Sequence, residues 1–286
     1  MEPTQPHLDT MTAVIDNPRS PRVRAAAKLG KKAQRSETGL FLIEGPQAVT
    51  EALAHRPDLV TEVFATVGAL DRHPAIPDVA LAAGVRVETV SDAVLNTIAD
   101  TVTPQGVVAV CRQFAVSLDD VLGLRPRLVA VLEEVRDPGN AGTIIRVADA
   151  TGADAVILTG TSVDVFNPKV VRATTGSLFH LPVVVGVPLE STLGRLRDTG
   201  MSVLAADVSG DDLLAVRSEG HLNGPTVWLF GNEARGLTDD QLALADRAVI
   251  VPIYGRAESL NLATAAAVCL YESAFAQRAS VPPGQH

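Results

Sequence analysis

The chain is 286 residues long, which predicts two domains or one domain with an appendage, and its 47% of apolar residues excludes wholesale disorder. No apolar run approaches the roughly 20 residues of a membrane helix, the N-terminus lacks the apolar region of a secretory signal, and two cysteines are too few for a disulfide framework or a zinc site. These features predict a cytoplasmic protein without a membrane contact, while the net charge of −9 argues on its own against a nucleic-acid partner.

Positive charge is nevertheless concentrated near the start of the chain, in residues 19–35. This segment has seven basic residues and no acidic one, so its net charge is +7. The rest of the chain has a net charge of −16, which gives the total of −9. One interpretation is a solvated helix face. The other is a phosphate-binding arm, since clusters of Lys and Arg release counterions from nucleic acid. Residues 1–36 are taken as a basic N-terminal arm.

A compact α/β segment follows the basic arm, over residues 37–114. Runs rich in β-branched residues predict four strands, at residues 39–44, 60–66, 85–90 and 106–111. A helix is predicted over residues 47–55. Residues 115–126 are predicted to be a linker.

Strands and helices alternate in the remainder of the chain. Helices are predicted after Gly139, near 168–178 and over 259–276, and strands at 128–134, 155–159, 181–185, 201–206, 226–231 and 248–252. Because these strands are apolar without alternation, they predict a parallel sheet covered by helices on both faces. Residues 280–286 are predicted to be a disordered tail.

The common nucleotide and metal signatures are missing from the sequence. It has no G-x-x-x-x-G-K-[ST] loop and no G-x-G-x-x-G turn, which disfavours P-loop and Rossmann-type enzymes. No His pair or Cys/His cluster has ligand spacing, so no metal is expected. A nucleophile elbow is absent as well.

Three other polar segments follow apolar runs: Asp137–Arg146, Leu229–Leu237 and Val251–Asn261. In the first, Asn140 is a candidate helix cap. In the third, Ser259 is a candidate cap with Asn261 in the first helical turn. Taken singly, each segment could be an ordinary turn or cap.

Taken together, in this order and spacing, the three segments resemble the motifs of the SpoU–TrmH family of RNA ribose 2′-O-methyltransferases, within the SPOUT superfamily. The resemblance covers roughly residues 128–272. It extends to Gly39–Gly45 and Thr103–Gly106, which look like the two ends of the small RNA-binding domain found in the ribosomal-RNA branch. One departure is Ala234, where the second motif usually has Gly and where alanine predicts a stiffer loop.

The resemblance implies an α/β fold in which residues 37–114 form the smaller RNA-binding domain and residues 127–279 form a parallel-sheet methyltransferase domain with a deep trefoil knot. The knot is expected over residues 226–276. The implied cofactor is S-adenosylmethionine, without a metal, and the implied assembly is a homodimer with the active site at its interface. Five residues are expected to bind the cofactor: Leu229, Gly231, Val251, Ile253 and Leu260.

Catalytic roles are also implied by position in the motifs. Arg146 matches the essential arginine of the family, and the other matched residues are Asn140, Glu233, Ser259 and Asn261. Since arginine is a poor general base, Arg146 is expected to orient the target phosphate and to stabilise the developing alkoxide. Glu233 and Asn261 are expected to organise the loops and the target ribose.

The resemblance also implies an RNA substrate, and the N-terminal domain favours 23S ribosomal RNA. The basic arm is then interpreted as an RNA contact, through Arg22, Arg24, Lys28, Lys31, Lys32 and Arg35. The alternatives are methylation of transfer RNA, a catalytically silent RNA-binding or ribosome-assembly protein, and a Rossmann-type methyltransferase acting on a small molecule. The missing glycine-rich turn disfavours the last of these, and the sequence leaves open a housekeeping role or antibiotic resistance.

Overall fold

A computed structural model describes residues 14–279, so the first part of the predicted arm and the predicted tail, residues 280–286, lie outside the described residues. The chain divides into two compact units between Gln113 and Phe114, one residue from the predicted end of the RNA-binding domain. Within residues 14–279, no helix is long and apolar enough to cross a membrane.

Within residues 14–113, the first unit is a four-stranded sheet with six α-helices. Its elements in chain order are α1 (Pro21–Lys28), α2 (Lys32–Thr38), β1 (Leu40–Glu44), α3 (Pro46–His55), β2 (Val60–Thr66), α4 (Val67–Arg72), α5 (Ala75–Ala82), β3 (Val87–Val90), α6 (Asp92–Ile98) and β4 (Val107–Arg112). The strand order is β1-β4-β2-β3, and β4 is antiparallel to both of its neighbours, whereas β2 and β3 are parallel. All four strands predicted here are confirmed to within two residues at each end.

The basic segment is part of this unit, in contrast to the separate arm that charge alone suggested. Helix α1 has apolar residues on one side, and Val23 and Leu29 join the hydrophobic core that contains Phe64. The predicted RNA contact of Arg35 is wrong. Its side chain is buried, and its Nη1 donates hydrogen bonds of 2.9 Å to the carbonyl oxygens of Leu29 and Gly30.

Arg22 also has partners inside the first unit. Its guanidinium lies 2.6 Å from a carboxylate oxygen of Glu62 and 3.0 Å from one of Glu88, and its carbon Cζ is 5.4 Å from the centre of the Phe64 ring. These ion pairs raise the pKa of Arg22 despite partial desolvation. The basic residues that remain exposed without an ion pair in the described part of the segment are Arg19, Arg24, Lys28, Lys31 and Lys32.

The second unit is a six-stranded parallel sheet with seven helices in the described residues. Its elements are α7 (Leu118–Gly123), β5 (Leu128–Glu133), α8 (Pro138–Thr151), β6 (Ala155–Thr159), α9 (Pro168–Thr174), β7 (Val183–Val187), α10 (Leu189–Asp198), β8 (Ser202–Asp212), α11 (Leu213–Ser218), β9 (Thr226–Phe230), α12 (Asp239–Leu242), β10 (Arg247–Ile250) and α13 (Leu262–Ala279). The strand order is β10-β8-β9-β5-β6-β7, and every pairing is parallel. The predicted parallel α/β sheet is therefore confirmed.

Helices cover both faces of this sheet. On β9, Val227 and Leu229 belong to one core cluster together with Leu193 of α10. Trp228 points to the opposite face, because successive strand residues alternate, and its Nε1 donates to Ser273 Oγ of α13 at 2.8 Å.

The predicted linker, residues 115–126, is wrong in part, because it contains helix α7. Ser117 caps this helix in a capping box with Asp120. Leu118 and Val121, three residues apart on one helical face, are buried in the core cluster of the second unit.

Candidate active site

The three polar segments meet at one edge of the parallel sheet. The first follows β5, the second follows β9, and the third runs from the end of β10 to the start of α13. Since β5 and β9 are adjacent parallel strands, their carboxyl ends share an edge, which is where open α/β sheets bind ligands.

The Glu233 carboxylate joins the second segment to the first. Its Oε2 accepts a hydrogen bond from the backbone N–H of Arg136 at 3.1 Å, and its Oε1 accepts one from the backbone N–H of Asp137 at 2.9 Å. Oε1 also lies 3.4 Å from Nδ2 of Asn140. Charge-assisted bonds to backbone amides are stronger than neutral ones, so Glu233 fixes the turn that begins α8.

Asn140 and Asn261 join the first segment to the third. Nδ2 of Asn261 donates to Oδ1 of Asn140 at 2.9 Å, while Oδ1 of Asn261 accepts from the backbone N–H groups of Ala263 at 2.9 Å and Thr264 at 3.2 Å. Three of the predicted polar residues, one from each motif, therefore form one hydrogen-bonded chain, Glu233–Asn140–Asn261.

The caps of the two helices differ from those predicted. Asp137, rather than Asn140, caps α8, because its Oδ1 accepts from the backbone N–H of Asn140 at 2.8 Å. Helix α13 begins at Leu262, and Asn261, rather than Ser259, satisfies its first amides. Ser259 lies in the exposed coil before the helix.

A cavity of about 370 Å³ lies beside the second and third segments. This volume is within the range of about 300–1,000 Å³ that holds small organic ligands. Six of the predicted residues line it: Gly231, Glu233, Val251, Ile253, Ser259 and Leu260. Other lining residues were not predicted, among them Ala206, Asp207 and Val208 in the middle of β8, and Ala265 of α13.

Gly231 is required by the close approach of the backbone. A Cβ on it would lie 2.6 Å from the carbonyl carbon of Gly236 and 2.8 Å from Cγ of Leu237. Asn232 and Gly236 exchange backbone hydrogen bonds of 3.2 and 2.9 Å, which close the loop between them. Ala234, where the family usually has Gly, is not among the described residues with positive φ, so alanine is compatible with this loop.

Leu229 is not a wall of the cavity, in contrast to its predicted cofactor contact. Its side chain is fully buried in the core cluster that contains Leu193. Strand alternation explains the difference, because Leu229 points into the sheet–helix core two residues before the chain reaches the loop at Gly231.

Two consecutive acids at the end of β5 hold the loop after β9, and sequence reasoning missed both. The Glu134 carbonyl accepts from Nδ2 of Asn232 at 2.8 Å, and its carboxylate forms an ion pair with Arg235. Glu133 is buried and accepts from Nε2 of Gln241 at 3.0 Å. The sequence feature that could have revealed these two residues is a pair of acids directly after an apolar run.

Arg146 lies apart from the hydrogen-bonded chain. It is six residues beyond Asn140 on α8, about 9 Å along the helix axis, and it is exposed. Its Nη1 donates to Oγ1 of Thr175 at 3.2 Å, and Arg146 is not among the residues that line the cavity. Helices α8 and α9 approach closely at Gly142, where a Cβ would lie 2.5 Å from the carbonyl oxygen of Val170.

Comparison with known proteins covers both units. Residues 127–271 match the SpoU rRNA Methylase family, and residues 42–116 match the domain described as RNA 2′-O ribose methyltransferase substrate binding. The 23S rRNA (guanosine(2553)-2′-O)-methyltransferase RlmP of Bacillus subtilis is 35% identical over 90% of this chain and 97% of its own. The 23S rRNA (uridine(2479)-2′-O)-methyltransferase of Streptomyces viridochromogenes is 34% identical over 86% of each chain.

Among solved structures, an AdoMet-bound rRNA methyltransferase from Sinorhizobium meliloti superposes with a TM-score of 0.79 at 32% identity, covering 94% of this chain and 98% of the other. The similarity thus extends over both units and includes the segments that form the hydrogen-bonded chain. The protein belongs to the SpoU rRNA methylase family.

Proposed function

We propose that the protein transfers a methyl group from S-adenosylmethionine to a ribose 2′-hydroxyl of large-subunit ribosomal RNA. The observation that carries this proposal is the chain Glu233–Asn140–Asn261, which joins all three motifs beside the cavity. A catalytically silent RNA-binding protein has no need of this chain together with an exposed Arg146. The names of the two relatives support ribosomal over transfer RNA.

The cavity fits the cofactor in shape and chemistry. Val251, Ile253 and Leu260 provide apolar walls for an adenine ring, and the backbone at Gly231 can bind its polar edge without a side chain in the way. When bound, S-adenosylmethionine supplies an electrophilic methyl group on a sulfonium centre.

The polar residues of the chain position the acceptor. Methyl transfer forms an oxygen–carbon bond at the ribose and breaks a sulfur–carbon bond, and the proton of the 2′-hydroxyl must leave. We assign Ser259 and Asn261 to the target ribose, and Arg146 to its phosphate and to the negative charge that develops on the hydroxyl oxygen. A guanidinium stays protonated at neutral pH, so positioning and electrostatic stabilisation are the contributions that Arg146 can make.

A homodimer is the assembly we propose. Arg146 does not line the cavity of its own chain, and a second copy at the interface could bring an arginine to it. Exposed apolar surface suitable for a second copy is present on α13, where Tyr271 and Phe275 form a ring pair with centres 5.5 Å apart. The trefoil knot over residues 226–276 remains part of this proposal, supported by the hydrogen bond that holds the start of α13 against α8.

The test is mass spectrometry of a large-subunit ribosomal RNA transcript, digested to nucleosides after incubation with the purified protein and S-adenosylmethionine. We expect one added methyl on a ribose. Arg146→Ala should abolish the product while S-adenosylmethionine binding stays near the wild-type value. A methyl on a base, or no methyl on any RNA, would contradict the proposal.

A further inference from the structure

The first unit contains a cavity that the proposed reaction does not use. Its volume is about 400 Å³, again within the range of about 300–1,000 Å³ that holds small organic ligands. All of its lining residues belong to the first unit. They come from the ends of β2 and β3, the loop before β4, helices α4 and α6, and Val14 at the start of the described residues.

The cavity lies at one edge of the four-stranded sheet. Strands β1 and β2 are both antiparallel to β4, and β3 is parallel to β2, so β1, β2 and β3 run in the same direction. Their carboxyl ends and the amino end of β4 therefore share this edge. It is the counterpart, in the first unit, of the edge that carries the candidate active site in the second.

Two sequence motifs that the reaction leaves unexplained meet at this edge. They are Gly39–Gly45 and Thr103–Gly106, which stand about 60 residues apart in the chain. The backbone N–H of Gly45 donates to the carbonyl of Val107 at 2.9 Å, and a Cβ on Gly45 would lie 3.0 Å from Oε1 of Gln105. The Glu44 carboxylate accepts from the backbone N–H of Asp100 at 2.7 Å and so holds the loop that leads to the second motif.

The wall formed by Gly106 is closely packed and admits only glycine. Its φ is +91°, and a Cβ would lie 2.6 Å from Cβ of Ala69 and 2.9 Å from Oγ1 of Thr66. The Nη2 of Arg72, on the same wall, donates to the carbonyl of Gln105 at 3.4 Å. The motif residues therefore shape the cavity directly.

The lining combines an apolar surface with polar side chains whose hydrogen-bonding groups are available to a ligand. Val67 is 54% exposed, and Leu95 and Pro104 add further apolar atoms. Asp92 and Asn96 are exposed and make no side-chain hydrogen bond within residues 14–279. A carboxylate accepts hydrogen bonds and an amide both donates and accepts, which is what the edge of an unpaired base requires.

We infer that this cavity holds an unpaired nucleotide of the RNA substrate, with its base against Val67 and Leu95 and its edge bonded by Asp92 and Asn96. The inference rests on the proposed function. It is supported by the match of residues 42–116 to a substrate-binding domain of RNA methyltransferases. Proteins that recognise RNA by sequence do so mostly through unstacked bases in loops and bulges, whose edges they bond with side chains.

Two substitutions test the cavity, Asp92→Ala and Asn96→Ala, with Asp78→Ala as the matched control. Asp78 is also an exposed acid in the first turn of a helix, α5, but it does not line the cavity. Removing an acid reduces the repulsion of RNA, so Asp78→Ala should leave RNA binding unchanged or slightly tighter. Asp92→Ala removes the same charge and should nevertheless weaken binding, as should Asn96→Ala.

The measurements are the Kd for a large-subunit ribosomal RNA transcript, KM for that RNA, and kcat. We expect Kd and KM to rise by about five- to a hundredfold, because each variant loses one contact with the edge of a base. The value of kcat at saturating RNA should be unchanged. S-adenosylmethionine affinity should stay at the wild-type value, and the melting temperature should fall at most slightly and equally in Asp92→Ala and Asp78→Ala, because neither Asp92 nor Asn96 makes a side-chain hydrogen bond within residues 14–279 and both acids lie in the first turn of a helix.

The outcomes separate this inference from the proposed function. If wild-type protein methylates ribose and the two cavity variants bind RNA like the control, the cavity inference is wrong and the proposed function stands. If the wild-type protein methylates no RNA, the proposed function fails. In that event, selective loss of RNA binding in the two variants would still support the cavity.

Discussion

Asn261 has two tasks in the second unit, and they depend on different atoms of one side chain. Its Oδ1 accepts from the first amides of α13, as an N-cap does, and its Nδ2 donates to Asn140. The first contact concerns stability, while the second connects the third motif to the first. Substitutions that remove one atom type at a time can therefore separate the two tasks.

Asn261→Asp should keep the cap and remove the donor, placing a carboxylate beside Oδ1 of Asn140. We expect kcat to fall about 10- to 100-fold, the effect of a misplaced reacting geometry, with the melting temperature nearly unchanged. Asn261→Ala removes both atoms and should also lower the free energy of unfolding by about 1 kcal/mol. Thermal unfolding and single-turnover kinetics provide the two readouts. Wild-type kcat for Asn261→Asp would show that the bond to Asn140 has no role in catalysis.

Sequence reasoning reached most of the polar site residues at this scale but not their exact contacts. The three segments that contain Asn140, Glu233 and Asn261 stand out because polar residues follow apolar runs, and the resemblance to the SpoU–TrmH family selected these three residues within them. Caps were misplaced because Ser, Asp and Asn are nearly equivalent cap residues within a few positions of each other. Burial of Arg35 was missed because its partners are backbone carbonyls, which no sequence pattern displays.

At the scale of elements, the loop after β9 is held by the end of β5. Glu134 has φ +51°, a left-handed conformation that is unfavourable for a residue with a Cβ. Its carbonyl bond to Asn232 involves only the backbone of residue 134. Its side chain pairs with Arg235 and, at 3.8 Å, with Arg136, and it accepts a hydrogen bond from Oγ1 of Thr161 at 3.2 Å. The side-chain contribution can thus be removed while the backbone bond is kept.

Glu134→Gly should weaken S-adenosylmethionine binding by a few fold, because a partly exposed ion pair contributes about 0–1 kcal/mol. The melting temperature should be unchanged or higher, since glycine adopts positive φ without steric cost. The matched control is Arg125→Gly, another exposed residue with φ +53°, whose side chain makes no ion pair within the described residues. Isothermal titration and thermal unfolding measure both quantities. Equal cofactor affinity in the two variants would show that the ion pair does not position the loop.

The elements themselves were predictable where burial leaves a strong pattern. The bounds of β2 and β6 were predicted to the residue. Strand β6 is buried throughout and almost entirely apolar, whereas β2 includes the partly buried Thr61 and Glu62 and is recognisable by its β-branched and aromatic residues. The sequence predicts a linker where helix α7 lies, because the acidic residues and the proline that follows are typical of linkers. The helical spacing of Leu118 and Val121 is too weak a signal with only two apolar residues. The strand order β10-β8-β9-β5-β6-β7 depends on contacts between distant segments, which periodicity does not report.

At the scale of the whole molecule, an acidic protein must bind a polyanion. The net charge is −9, yet four predicted RNA contacts on α1 and α2, and on the turn between them, are exposed and form no ion pair within the described residues: Arg24, Lys28, Lys31 and Lys32. Deleting residues 1–36 would not test these contacts cleanly, because Val23 of α1 and Leu29 directly after it belong to the core of the first unit. Charge must be removed without removing the helix.

Replacing these four residues with Gln should weaken RNA binding and reduce its dependence on salt. If each contacts one phosphate, the slope of log Kobs against log salt should become less negative by about 3. S-adenosylmethionine affinity and the melting temperature serve as controls and should not change. An unaltered affinity and slope would show that this surface is only a solvated face.

The most direct test of the central claim is a map of ribose methylation in 23S ribosomal RNA from three matched strains. The first carries the gene, the second lacks it, and the third lacks it but expresses the Arg146→Ala variant. A ribose methyl blocks cleavage of the adjacent phosphodiester by alkali, so each methylated nucleotide is read as a gap in the cleavage ladder. We predict one gap in the first strain that is missing from the other two. Identical 23S ladders in all three strains would contradict the account.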